Sequence, residues 1–239
     1  MANDAQKKFQ EGAGLSFQDE GLLTLAFTHR SYINEARAAG RGNGKKHEHN
    51  ERLEFLGDAV LELSVTDYLF RQYPDSDEGD LTSYRAALVN AVMLSEVAEK
   101  LGMNECLLLS KGEARDTGRA RATILANTFE AVVGAIYLDR GYDAANAFIA
   151  AHLLPRARDV IVSGAWRDAK SRFQEHAQAV YGLTPTYETV SAEGPDHDKR
   201  FVVTVSVGDV VLGEGSGKSK QEAEQEAAKK ALKNADKKP

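Results

Sequence analysis

One segment limits the possible folds more than any other: residues 122–138 are predicted to form a helix that is apolar on almost every side. Its apolar members are Ile124, Leu125, Ala126, Phe129, Ala131, Val132, Val133, Ala135 and Ile136. A helix without a polar face is typical of the buried centre of a helical domain. The segment therefore predicts an all-α domain built around this helix.

Periodic apolar residues predict further helices on both sides of this segment. Residues 6–40 read as two helices, and a strong helical pattern begins at Asn50 and stops at Pro74. Asp80 is a candidate cap for a helix over 81–101, and a last helix over 143–154 ends before Pro155. We expect these helices to form one domain over residues 6–156.

The pattern changes after a predicted linker at 157–167. A helix near 169–181 is followed by strands at 186–191, 201–207 and 210–212, then by a loop at 213–217 and a helix over 220–233. Gly208 and Asp209 form the expected two-residue hairpin turn. The chain is thus predicted to be multidomain, with an all-α N-terminal domain and a small α+β domain of order α-β-β-β-α over 168–236.

Composition excludes several classes of protein. Cys106 is the only cysteine, so no internal disulfide or cysteine-rich zinc site is possible, and a cytoplasmic location is expected. The first eight residues lack an apolar core, and no stretch approaches about 18 apolar residues, so neither a secretory signal nor a membrane span is predicted. The net charge of -6 means that any nucleic-acid-binding surface must be local.

Acidic residues in the apolar helices are the strongest indication of chemistry. Glu51, Glu54 and Asp58 have spacings of i, i+3 and i+7, which place like charges on one helical face at a cost in stability. Asn127 and Glu130 are three residues apart inside the apolar helix. A divalent cation with oxygen ligands would offset the cost of these charges.

Structural ion pairs are the alternative explanation for the same acids. Arg30, Arg52 and Arg85 are candidate partners, and spacing alone does not separate this alternative from a metal site. Gly57 weakens the interior of its helix by about 1 kcal/mol relative to alanine, so its presence suggests the close approach of another helix or backbone.

Several motifs together resemble the ribonuclease III family. The run 50–58, Asn-Glu-Arg-Leu-Glu-Phe-Leu-Gly-Asp, is similar to the family signature, and residues 28–31, 78–81 and 124–131 match the family elsewhere. The C-terminal α-β-β-β-α unit resembles a double-stranded RNA-binding domain, most specifically over 213–225. The resemblance covers nearly the whole chain.

The resemblance implies a homodimeric endonuclease that uses Mg²⁺, or Mn²⁺ in its place, to cut double-stranded RNA. Each protomer would cut one strand by water attack, leaving 5′-phosphates and short 3′ overhangs, in ribosomal RNA processing and RNA decay. By the same resemblance, the metal ligands are Glu54, Asp58, Asn127 and Glu130, and the further acids at the cut site are Glu51 and Glu78. The implied RNA contacts are Gln174, His197, Lys218 and Lys220. The apolar surface of Phe55, Leu56 and Gly57 is the expected dimer contact.

Asn127 departs from the family, which usually has aspartate at this position. The asparagine is consistent with a natural variant that retains activity, with an engineered block of cleavage, or with a natural RNA binder that cuts poorly. A protein that holds duplex RNA without cutting it is therefore the rival hypothesis. A phosphohydrolase of small substrates is a third, which the RNA-binding unit argues against. The segment 38–49 is an insertion to which the sequence assigns no role, and its histidines are expected to be solvated.

Overall fold

The computed structural model describes residues 2–40, 48–115, 117–162, 169–195 and 199–235. Its contacts divide the chain into two compact units, Met1–Trp166 and Arg167–Pro239. Part of the predicted linker, part of the 38–49 insertion and His197 lie outside the described residues. In the part of the chain that is described, no helix is both long and apolar enough to cross a membrane.

In the described part of the first unit, the regular secondary structure is helical apart from a single bridge between Thr28 and Leu108. Its α-helices are α1 (Ala2–Ala13), α2 (Glu20–Ala26), α3 (Arg30–Ala38), α4 (Glu51–Gln72), α5 (Glu78–Leu88), α6 (Ala91–Lys100), α7 (Arg119–Arg140), α8 (Tyr142–His152) and α9 (Ala157–Val162). Short 3-10 turns occupy Met103–Cys106, Glu113–Arg115 and Leu154–Arg156.

The predicted central helix is confirmed as α7. Eleven of its residues are buried, including Leu125, Phe129 and Val133. Helices α2, α4, α6 and α8 all pack against it, which explains why it can be apolar on nearly every side. The all-α class predicted for this unit is therefore confirmed.

The single helix predicted over 81–101 is wrong. Two helices replace it, because the Asn90 side chain accepts a hydrogen bond from the Met93 backbone N–H and so caps α6 after α5 has ended. Asp77, not Asp80, caps α5: its carboxylate accepts a hydrogen bond of 2.8 Å from the backbone N–H of Asp80.

Residues expected to begin the linker instead form α9. Ala157 is fully buried, and Val160 and Ile161 pack against the core of the first unit. These three apolar residues hold the segment to the helical domain. The sequence did not indicate this, because residues 157–167 lack a clear apolar periodicity.

The second unit consists of α10 (Ala169–Tyr181), β1 (Thr186–Glu193), β2 (Arg200–Val207), β3 (Val210–Gly217) and α11 (Lys220–Ala235). The strands form an antiparallel sheet in the order β1-β2-β3, and the hairpin turn falls at Gly208 and Asp209 as predicted. Phe173 on α10 and Val205 on β2 are fully buried in its core. The predicted α+β unit is confirmed.

The loop predicted over 213–217 is wrong, because β3 continues through it. Gly213 and Gly215 face α11 so closely that a methyl group on either would overlap backbone atoms near Ala227. The glycines therefore allow a strand to lie directly against a helix and do not mark a turn.

Candidate active site

Helices α4 and α7 approach each other at two glycines. A methyl group on Gly57 would overlap the carbonyl oxygen of Glu130, and one on Gly134 would overlap the carbonyl oxygen of Leu53. The close approach inferred for Gly57 from the sequence is confirmed. It determines which side chains of the two helices meet.

Carboxylates from both helices meet beside this crossing. Burial raises the pKa of Glu130, which is half-buried, to about 7, and the charges of Asp58 and Glu54 add to the effect. These contributions indicate that the three carboxylates lie within electrostatic range of one another. Asp58 itself is exposed, so the cluster is open to solvent on the α4 side.

Asn127 contacts the same cluster through its amide. Burial and the charge of Glu51 raise the pKa of Glu54, whereas a side-chain hydrogen bond with Asn127 acts in the opposite direction. Since an ionised carboxylate only accepts, the amide nitrogen of Asn127 is the donor. An aspartate here would have no such donor.

The cations near the cluster pair with its outer members. Arg30 lies 3.3 Å from a carboxylate oxygen of Glu51, and Arg85 lies 2.8 Å from one of Glu62. Within the described ranges, no ion pair involves Glu54, Asp58 or Glu130. Structural ion pairing thus accounts for the outer acids and leaves the three inner carboxylates without a compensating charge.

The inner residues provide oxygen atoms of the type that a hard cation binds, but they do not form a complete coordination shell. Across the residues with described positions, no three His, Cys, Asp or Glu side chains are arranged to hold a metal ion. Mg²⁺ commonly takes one or two carboxylates and completes its shell with water and substrate phosphate. The uncompensated carboxylates and the amide oxygen of Asn127 are donors of that kind.

Two further sequence predictions concern Glu78 and the apolar dimer contact. Glu78 begins α5, where Thr82 donates a 3.4 Å hydrogen bond to it, and it is not among the charges that shift Glu54 or Glu130. Gly57 is buried against α7 and offers no surface for a dimer contact, whereas Phe55 is 83% exposed. The predicted apolar contact surface therefore reduces to Phe55 and the half-buried Leu56.

Glu62 is the member of the cluster that the sequence analysis missed. It follows Asp58 by four residues and continues the row from Glu54, and its charge adds to the raised pKa of Glu130. The spacing i, i+4, i+8 was the available signal.

The second unit carries a small basic cleft of about 220 Å³. Its lining residues are Lys199, Arg200, Gly217, Lys218 and Glu222. Lys199 and Arg200 were not predicted, although Lys199 directly precedes the second strand and Arg200 is its first residue. Gln174 is exposed on α10, and Lys220 is the first residue of α11 and exposed.

The start of α11 is closed by a reciprocal cap. Ser219 accepts a 3.1 Å hydrogen bond from the backbone N–H of Glu222, and the Glu222 carboxylate accepts one of 2.8 Å from the backbone N–H of Lys218. The cap orients the turn that bears Lys218 and Lys220, while the acid of Glu222 reduces the positive potential there.

A larger cavity of about 710 Å³ lies elsewhere in the first unit, between the end of α1 and helix α8. Leu15, Arg140, Phe148 and His152 are among its lining residues, and none of the clustered carboxylates is. Because Asp58 is exposed and Glu54 and Glu130 are half-buried, the acidic cluster is open to solvent, which suits a polymer better than a small enclosed ligand.

Comparison with known proteins identifies both units. Residues 19–157 match the family model described as Ribonuclease-III-like, and residues 169–235 match the double-stranded RNA binding motif. The chain therefore combines a helical endoribonuclease unit with a module for duplex RNA. It belongs to the ribonuclease III family.

Relatives support this assignment over nearly the full length. The chain is 47% identical over 236 residues to Ribonuclease 3 of Pelotomaculum thermopropionicum, covering 98% of this chain and 95% of the relative. It is 46% identical over 230 residues to Ribonuclease 3 of Bacillus cereus, covering 96% and 91%.

A solved structure gives the same result for the first unit. The nuclease domain of ribonuclease III from Campylobacter jejuni is 36% identical, with a TM-score of 0.54, and the match covers 62% of this chain and 95% of that domain. That structure concerns flexibility in a region involved in dimer formation. The enzyme class predicted from the sequence is confirmed.

Proposed function

We propose that this endoribonuclease cleaves double-stranded RNA with Mg²⁺, or with Mn²⁺ in its place, to leave 5′-phosphates and short 3′ overhangs. The observation that carries the proposal is the group of Glu54, Asp58 and Glu130, which lie near the α4–α7 crossing and have no ion-pair partner among the described residues. Partly burying several carboxylates that repel one another is unfavourable, and such groups are expected where a cation binds.

The proposed ligands are Glu54, Asp58 and Glu130, with the amide oxygen of Asn127. When bound there, Mg²⁺ supplies Lewis-acid activation of water and offsets negative charge on the phosphoryl oxygens. Glu130, whose pKa is about 7, can release its proton near neutral pH as the site fills. Glu51 and Glu78 keep their proposed roles as further acids near the cut site.

The second unit is proposed to hold the duplex through a few groups. Gln174 and His197 would contact minor grooves, and Lys218 and Lys220 the phosphates between them, as is usual for such domains. Arg200, in the same cleft as Lys218, adds a further positive charge. This arrangement is compatible with a chain whose net charge is -6. The proposed setting is ribosomal RNA processing and RNA decay in the cytoplasm.

The direct test is to incubate the chain with a long RNA duplex and Mg²⁺ or Mn²⁺, with EDTA as the control. Short duplex products bearing 5′-phosphates are expected. Tight binding of the duplex without cleavage in either metal would favour the rival, an RNA-binding protein with an impaired site at Asn127.

Replacing Asn127 by aspartate is expected to lower the Mg²⁺ concentration needed for half-maximal cleavage, because the site gains a negative charge. The metal-free protein should lose about 1–3 kcal/mol of stability, since the variant removes the hydrogen bond to Glu54 and adds repulsion. Mg²⁺ titrations of the cleavage rate and melting in EDTA measure the two effects. The exposed Asn104→Asp is the matched control. Equal midpoints for Asn127→Asp and the unaltered chain would exclude position 127 from the metal site.

Dimerisation is proposed through the exposed face of α4. Phe55, Leu63 and Phe70 are 83%, 57% and 70% exposed. Exposing these apolar side chains to water is unfavourable, and contact with the same surface of a second copy would bury them. Sedimentation at micromolar concentration should show a dimer for the unaltered chain and a monomer for Phe55→Glu. Val180→Glu, at an exposed apolar position of the second unit, should remain dimeric. A monomeric unaltered chain would contradict the proposal.

A further inference from the structure

The acids of α4 do not stop at the proposed ligands. Glu62 lies one turn beyond Asp58, is half-buried, and forms a 2.8 Å ion pair with the Nε atom of Arg85 on α5. Arg85 also donates a 3.1 Å hydrogen bond from Nη1 to the Thr66 hydroxyl, one turn further along α4. Its guanidinium is therefore held at the acidic row by two contacts.

The charge of Glu62 acts on Glu130 inside the cluster. It is one of the three carboxylates that act on Glu130, together with Asp58 and Glu54. Among these acids, Glu62 alone has an ion-pair partner within the described part of the chain. The pair thus places one negative and one positive charge at the edge of the proposed cation site.

We propose that Glu62 and Arg85 are a charge-balancing pair that sets the affinity of the acidic cluster for its divalent cation. Because Arg85 neutralises Glu62, the electrostatic attraction on the cation comes almost entirely from the inner carboxylates. Neither residue is a proposed ligand; both are positioning residues that act on the ligands through the field at Glu130. The inference rests on the proposed function, because it takes the cluster to be the Mg²⁺ site.

The proposal predicts shifts of opposite sign from the two halves of the pair. Removing the charge of Glu62 leaves Arg85 uncompensated and should weaken Mg²⁺ binding. Removing the charge of Arg85 leaves Glu62 uncompensated and should tighten it. At separations within one or two helical turns in a partly solvated site, each charge should change the affinity for a divalent ion by about three- to tenfold.

A merely structural ion pair would behave differently. If the pair only tethered α5 to α4, loss of either partner would loosen the site in the same way, and both single variants would shift in the same direction. Removal of both charges separates the cases further, because charge balance returns in the double variant whereas the tether does not.

The experiment compares the unaltered chain with Glu62→Gln, Arg85→Gln and the double variant, using Mg²⁺ alone as the probe. The readouts are the Mg²⁺ dependence of the melting temperature and calorimetric titration, neither of which requires cleavage. We expect a higher midpoint for Glu62→Gln, a lower midpoint for Arg85→Gln, and a midpoint near that of the unaltered chain for the double variant.

Glu96 and Arg156 provide a matched control, since their ion pair in the same unit also measures 2.8 Å. Glu96→Gln and Arg156→Gln should leave the Mg²⁺ midpoint unchanged. Shifts of the same sign in both single variants of the Glu62 pair, or no shift in either, would overturn the proposal. Duplex cleavage by the unaltered chain is measured separately. If the chain does not cleave the duplex but the two single variants shift the Mg²⁺ midpoint in opposite directions, only the proposed function is overturned. If the chain cleaves the duplex but the single variants have the same Mg²⁺ midpoint as the unaltered chain, only the role of the Glu62–Arg85 pair is overturned.

Discussion

Replacing Glu130 by glutamine is expected to reduce cleavage of duplex RNA by about a hundredfold or more, because loss of even the partners of metal ligands costs about 10–100-fold. The variant keeps the shape of the side chain but removes the charge of one of the three inner carboxylates, for which the described residues provide no ion-pair partner. Duplex binding, measured in Ca²⁺ to separate it from cleavage, should persist, since the proposed RNA contacts are in the other unit.

The same variant should stabilise the metal-free protein at higher pH. Burial raises the pKa of Glu130 from 4.5 to about 7, so the folded state binds this proton more tightly than the unfolded state. The resulting stability is fully present below about pH 4.5 and is lost as the pH rises through about 7. At pH 8 in EDTA, Glu130→Gln should therefore be the more stable protein by about 1–2 kcal/mol, a figure reduced for solvent screening of a half-buried group.

Glu99→Gln, at an exposed position of α6, should change neither cleavage nor the pH dependence of melting. If Glu130 is instead only a structural residue, its replacement should lower the melting temperature at pH 8 and leave cleavage by the folded protein near normal. That pair of results would refute the ligand role.

Replacing Gly57 by alanine is expected to destabilise the protein by about 2–3 kcal/mol or more, despite the higher helix propensity of alanine. The added methyl group would overlap the carbonyl oxygen of Glu130, and the neighbouring backbone nitrogen of Gly134 lies 2.8 Å from it. These are backbone atoms, so α4 and α7 must separate to relieve the overlap. Cleavage should fall as well, because the displaced segment carries Glu130.

Thermal and urea unfolding of Gly57→Ala measure the loss directly. Gly12→Ala is a suitable control, because Gly12 lies in α1 with nothing within 4 Å of an added methyl group. That variant should be unchanged or more stable by up to about 1 kcal/mol. A Gly57→Ala protein as stable as the unaltered chain would mean that the two helices do not pack as closely as described.

Much of the fold followed from local patterns. A helix that is apolar on all sides must be surrounded, so residues 122–138 predicted the centre of the helical unit. Alternating strands around the turn at Gly208 and Asp209 predicted the small sheet. Local patterns gave a wrong prediction where a residue is determined by a contact with a distant part of the chain. The glycines of 213–217 predicted a loop, but they allow β3 to lie against α11.

The sequence by itself determined the two units, the family resemblance and the acids at Glu54, Asp58 and Glu130, because helical periodicity and motif spacing are local properties of the chain. Only the tertiary structure decided how those acids are balanced. The hydrogen bond from Asn127 to Glu54 and the ion pair of Glu62 with Arg85 each join two different helices. Their existence depends on how closely α4 packs against α7 and α5, and spacing along one helix carries no information about the distance to another.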